Sequence, residues 1–102
     1  MELSYLADRL DAEEAKRLGL VNFVVPDDAL HAETEKLAAQ LASGPTVAYA
    51  RAKALLNASL GNTLETQLEA EAQGIADCSL TEDFRNGTAA FLAKQKPTFS
   101  GR

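Results

Sequence analysis

Hydrophobic positions along this chain fall into helical stripes, with one exception. From Asp28 to about Ser43, Leu30, Leu37 and Leu41 lie on an approximately common stripe, the mark of an amphipathic helix. Val47, Ala50, Ala54 and Leu55 outline a second helix reaching about Ser59. Leu64, Leu68, Ala72 and Ile75 recur at helical spacing in a third. Phe84, Thr88, Phe91 and Leu92 outline the last. The exception is Leu20-Val21-Asn22-Phe23-Val24-Val25, closed by Pro26. This β-branched, apolar run is too short for a comfortable helix and predicts one brief strand. A lone strand leaves backbone groups unpaired, so its partner must lie outside this chain or in another copy.

Polar punctuation agrees with this division. Asp11 and Glu14 have the form of a capping box opening a short helix that stops near Gly19. Ser43-Gly44-Pro45 ends one helix and starts the next, with Gly44 in the C′ role and Pro45 near the first turn. Gly61-Asn62 is a break, and Thr63 is an N-cap. Ser79 with Glu82 has the form of a second capping box, and Pro97 ends regular structure, leaving Thr98–Arg102 as a tail. No repeat or Gly/Ser-rich linker divides the chain, so residues 1–102 read as one mostly helical domain with a single orphan strand.

Charge changes the picture at one end. The net charge is −5, but residues 1–90 carry −8, whereas residues 91–102 hold Lys94, Lys96 and Arg102 with no acid. The acidic body disfavours nucleic acid and anionic lipid as partners. The basic tail suits a small anion, or is simply solvated. No apolar run approaches membrane-spanning length, and no secretory leader pattern opens the chain. The single cysteine suits a reducing compartment, and the expectation is cytoplasmic.

Candidate chemistry is sparse. His31 sits among polar neighbours early in its helix, which favours an exposed surface ring. Cys78 lies near a helix end with nothing adjacent to lower its pKa, which favours a small packed side chain over a nucleophile. Glu65 and Glu69 lie one turn apart, with Glu71 on another face, but their neighbours Thr66, Gln67, Ala70 and Gln73 form no apolar pocket. A solvated face is the better reading. No phosphate loop and no metal-ligand spacing is present.

Two stretches nevertheless carry a family resemblance. Leu10-Asp11-Ala12-Glu13-Glu14-Ala15-Lys16-Arg17-Leu18-Gly19-Leu20-Val21-Asn22-Phe23-Val24-Val25-Pro26 is one. Ser79-Leu80-Thr81-Glu82-Asp83-Phe84-Arg85-Asn86-Gly87-Thr88-Ala89-Ala90-Phe91-Leu92-Ala93-Lys94, continuing through Pro97-Thr98-Phe99-Ser100-Gly101, is the other. Both resemble the C-terminal third of the enoyl-CoA hydratase/isomerase (crotonase) superfamily. Leu41–Thr46 and Asn62–Glu69 fit the family's order and spacing between them. Asn86 stands where the family usually has Glu, and Gln95 where Arg is common. The Asn62–Glu69 segment is similar to members that act in aromatic-acid degradation, including isomerases of epoxide-derived CoA thioesters, and also to general hydratases.

The resemblance implies the C-terminal helical (trimerisation and lid) segment of the crotonase fold, with helices in an open or swapped bundle. In that family, acyl-CoA thioesters bind an N-terminal core of β-β-α turns. Backbone N–H groups there form an oxyanion hole, and acidic side chains move protons. The chain opens, at Met1-Glu2-Leu3-Ser4-Tyr5, on the helix expected to follow that core. No residue of this sequence therefore receives a catalytic role. By the same resemblance, Phe91 and Lys94 match the aromatic and lysine that contact coenzyme A, often across a subunit boundary, and Phe84 falls where an aromatic lines the acyl pocket. A ring can pack on adenine and an ammonium can neutralise phosphate. Ordinary core packing is the alternative for both phenylalanines.

Two functions follow as expectations. In the first, the chain is part of a hydratase or isomerase of acyl-CoA metabolism, supplying a trimer or dimer-of-trimers interface and a channel lid. Coenzyme A thioester is then substrate, with no further cofactor and no metal, and the isolated chain is inactive and binds CoA no tighter than about millimolar. In the second, it is a stand-alone helical assembly module. Either way, apolar helix faces made for absent partners predict self-association.

Overall fold

In the computed structural model, the backbone of residues 2–102 and the side chains of residues 3–102 are described. Among the described residues six α-helices follow in order: α1 (Glu2–Leu6), α2 (Ala12–Arg17), α3 (Leu30–Ala42), α4 (Thr46–Ser59), α5 (Leu64–Ser79) and α6 (Glu82–Leu92). A 3₁₀ turn, Asp27–Ala29, leads into α3. Met1 of the expected opening helix lies outside the described residues. The chain divides into two units, one ending at Glu35 and the other running from Lys36 to Arg102.

In the first unit, the predicted cap forms in half. Asp11 accepts the Glu14 N–H at 2.8 Å, but the Glu14 carboxylate turns away to receive the Arg17 guanidinium. Gly19 stops α2 at φ 74°. Its N–H donates to the Lys16 carbonyl and the Leu20 N–H to the Ala15 carbonyl, the paired bonds of a Schellman stop.

Residues 20–25 differ from expectation. They form no strand, and among the described residues none is present. Phe23 is 74% exposed, and Leu20 and Val21 are also exposed. Extended chain becomes strand only when another edge supplies its hydrogen bonds, and none of the described residues does so.

In the second unit, α4 packs on α5 and α5 on α6. Gly74, buried in α5, makes room for Leu55 of α4. Arg51 of α4 pairs with Asp77 of α5 at 2.7 Å. Thr63 caps α5 as expected, accepting the Thr66 N–H at 3.3 Å.

Gly44 stands two residues past the end of α3, as expected, but without a left-handed backbone; a Cβ there would lie 2.6 Å from a Tyr49 ring carbon unless the ring shifted. One boundary expectation is corrected: Ser79 does not cap the last helix. It is the final residue of α5, and its hydroxyl donates to the Ala76 carbonyl at 2.7 Å. The cap is Thr81, which accepts the Phe84 N–H at 3.1 Å.

The expected apolar stripes do not close over a core. Among the described residues no hydrophobic side chain is fully buried, and Leu60 is 98% exposed.

Candidate functional site

The three candidate contact residues gather on α6 and the turn after it. Phe84, Thr88 and Phe91 follow one another at intervals of four and three, which puts them on one face of a helix. The two rings lie about 10 Å apart along the axis. Phe84 is 47% exposed, half packed within this chain, whereas Phe91 is 80% exposed. Phe84 also borders a cleft of about 260 Å³ between α4, α5, α6 and the tail, with Val47, Cys78, Thr81 and Phe99 among its walls.

Lys94 is exposed and adopts φ 53°, a left-handed backbone. It occupies the C′ position of a second Schellman stop: its N–H donates to the Phe91 carbonyl at 3.1 Å and the Gln95 N–H to the Ala90 carbonyl at 2.9 Å. Glycine is the usual occupant of such a position because a Cβ there is strained. A lysine held in it carries a conformational cost.

From this turn the chain doubles back along α6. Residues 98–102 do not dangle as a solvated tail. The Ser100 N–H donates to Oδ1 of Asp83 at 2.7 Å, and the Gly101 N–H donates to Oδ2 at 2.9 Å. In return, the Asp83 N–H donates to the backbone oxygen of Arg102 at 2.9 Å, which satisfies one of the orphan donors of the first turn. The Arg102 guanidinium lies 3.5 Å from Glu82. Phe99 rests against Gly87, where an added Cβ would sit 3.4 Å from the ring. Asp83 is 3% exposed, the one buried charged side chain among the described residues.

This strap was not foreseen from sequence. By position Asp83 is an acid in the first turn of α6, where it favours the helix's positive end. Its real partners lie 17 and 18 positions away, and no periodicity links them. The one available signal was Gly101, a glycine following Pro97 and Phe99. Gly101 has φ 76°, and a Cβ on it would approach Oγ1 of Thr46 to 2.7 Å.

The remaining candidates fall apart. His31 is exposed and faces Glu35 of its own helix at 3.2 Å. Glu65 and Glu69 are exposed on α5, and Glu71 accepts from Gln67 at 3.0 Å. Cys78 is a half-buried free thiol in the cleft wall. Among the described residues no three His, Cys, Asp or Glu side chains converge as a metal ion needs, and no helix is long and apolar enough to cross a membrane.

Comparison with known proteins places this arrangement in context. The family model described as enoyl-CoA hydratase/isomerase matches residues 1–102. The Rhodobacter capsulatus protein named "Probable enoyl-CoA hydratase" is 40% identical over all of this chain and 40% of its own length. The 1,2-epoxyphenylacetyl-CoA isomerase of Escherichia coli K12 is 37% identical over all of this chain and 39% of its own length. A solved Mycobacterium abscessus structure assigned as an enoyl-CoA hydratase/isomerase superposes with a TM-score of 0.92 at 36% identity, covering 98% of this chain and 39% of that one. The chain thus spans about two fifths of the length of the curated relatives it matches.

Proposed function

Because the chain belongs to the enoyl-CoA hydratase/isomerase family, we propose that it is the C-terminal helical part of an enzyme acting on acyl-CoA thioesters. The observation that carries this reading is the family match over every residue by a chain that spans two fifths of its relatives. The chemical step, addition of water to a 2-enoyl thioester or movement of its double bond, belongs to the rest of the enzyme. There, an oxyanion hole and acidic side chains stabilise the enolate and shuttle the proton.

This chain's share is to assemble and to cover. Exposed faces on α4, α5 and α6 meet other subunits in a trimer or dimer of trimers. The α6 face closes over the substrate channel, with Phe84 against the acyl group and Phe91 and Lys94 against coenzyme A. The exposed rings and the left-handed backbone of Lys94 support this assignment. Strained conformations persist where function retains them.

The test is turnover of crotonyl-CoA by the intact enzyme, followed by loss of the conjugated-thioester absorbance. A panel of longer and aromatic enoyl-CoA substrates extends it, with double-bond shift assayed in parallel. Turnover of at least one is expected. Failure across the panel by folded enzyme would overturn the reading and leave an assembly role without chemistry.

A further inference from the structure

Lys94 holds a backbone conformation that a lysine would not choose, and something must impose it. The Schellman bonds belong to the last turn of α6 and would fray with it. The segment beyond supplies the constraint. Phe99 lies on Gly87, and Ser100 and Gly101 are pinned to the two carboxylate oxygens of Asp83. For the chain to leave α6 at Leu92 and return to its first turn, it must reverse at residues 93–95. The left-handed Lys94 is that reversal. Asp83 and Lys94 sit 11 residues apart, so the strap acts over about 16 Å of helix.

We infer that Asp83 is a positioning residue for substrate: through the strap it holds Lys94 in the left-handed turn that aims the ammonium at the phosphates of coenzyme A. The inference rests on the reading of Lys94 as a coenzyme A contact. The burial of Asp83 and its two backbone donors are spent on fixing where the exposed lysine stands. Release of the strap lets residue 94 relax to an ordinary backbone and leaves the ammonium to be ordered anew at each binding event.

The experiment is a set of kinetic comparisons on the intact enzyme. Asp83→Asn replaces one acceptor oxygen with a donor. Ser100→Pro removes one strap N–H from the exposed tail while leaving Asp83 in place. Each is expected to raise KM about fivefold with kcat changed less than about twofold, the effect of having to immobilise one long side chain on binding. Lys94→Ala should raise KM by at least as much. In the Lys94→Ala background, neither strap variant should raise it further.

The two levels of the argument fail differently. If Lys94→Ala leaves KM unchanged, Lys94 is not a coenzyme A contact. If Lys94→Ala raises KM but the strap variants leave it unchanged, or add their full effect on top, Asp83 does not act through Lys94. Unfolding caused by Ser100→Pro, judged by circular dichroism, would equally contradict a strap whose effect is confined to that turn.

Discussion

A methyl group placed on Gly74 of α5 would rest 3.4 Å from Cδ1 of Leu55 on α4, an ordinary van der Waals contact. The glycine is buried in the interior of a 16-residue helix, where it carries the conformational cost of having no side chain. Gly74→Ala is therefore expected to stabilise the α4–α5 pair by about 0.5–1 kcal/mol, read as a higher urea midpoint with unchanged slope. Gly74→Leu should lower the midpoint, because Leu55 leaves room for one methyl and no more.

The cap of α6 supplies a paired test. Thr81→Ala removes the acceptor for the Phe84 N–H and should cost about 1 kcal/mol. Ser79→Ala removes only a hydroxyl bonded back to its own helix and should change stability by less than about 0.5 kcal/mol. Equal losses from the two substitutions would show that the cap has been assigned to the wrong residue.

That pair also shows what could be read from sequence. Asp11, Gly19 and Thr63 were legible because a cap acts on atoms two or three residues away, and local spacing encodes it. Ser79 and Thr81 are both capping types with acids just beyond, and spacing alone cannot choose between them. The choice depends on α5 keeping its register through Ser79. The strand expected at 20–25 was half legible: its composition announced a need for a partner edge, and the described residues contain no such edge. The Asp83 strap was illegible because it joins positions 17 and 18 apart through backbone donors that every residue carries. Phe84, Phe91 and Lys94 were reached by resemblance alone, whereas the exposure of the rings and the φ of Lys94 are structural facts.

Lys94 should show a conflict between stability and binding. Lys94→Gly relieves a left-handed Cβ and should raise stability by about 1 kcal/mol. If the ammonium meets phosphate, the same change should raise KM for the thioester in the intact enzyme. Thermal unfolding and steady-state kinetics on the one variant decide both. A variant that is less stable than its parent would show that the left-handed turn costs nothing.

Acid should loosen α2 in a defined direction. The Arg17 guanidinium holds the Glu14 carboxyl below its usual range, against smaller opposing effects of desolvation and the Asp11 charge. A folded value lower than the unfolded one contributes stability that is present above the ordinary carboxylate pKa of about 4.3. That contribution disappears as pH falls through the lowered folded value. A side-chain carboxyl NMR titration should place the Glu14 midpoint below about 4.3, and Arg17→Ala should return it upward. A midpoint unmoved by Arg17→Ala would remove the pairing as the cause.

Self-association of the chain by itself tests what its exposed faces are for. Leu60, Leu80, Phe91 and Leu92 are each at least three-quarters exposed, and three of the four lie within α6 or just before it. Exposed apolar side chains lower their free energy by meeting like surface. Sedimentation velocity across a range of chain concentrations should therefore show a rising weight-average coefficient, and Phe91→Ser with Leu92→Gln should flatten that rise. The same double substitution in the intact enzyme should weaken assembly only if the α6 face belongs to a subunit boundary. A sharp monomer boundary at high concentration of the isolated chain would mean that these side chains find cover in some way other than contact between copies.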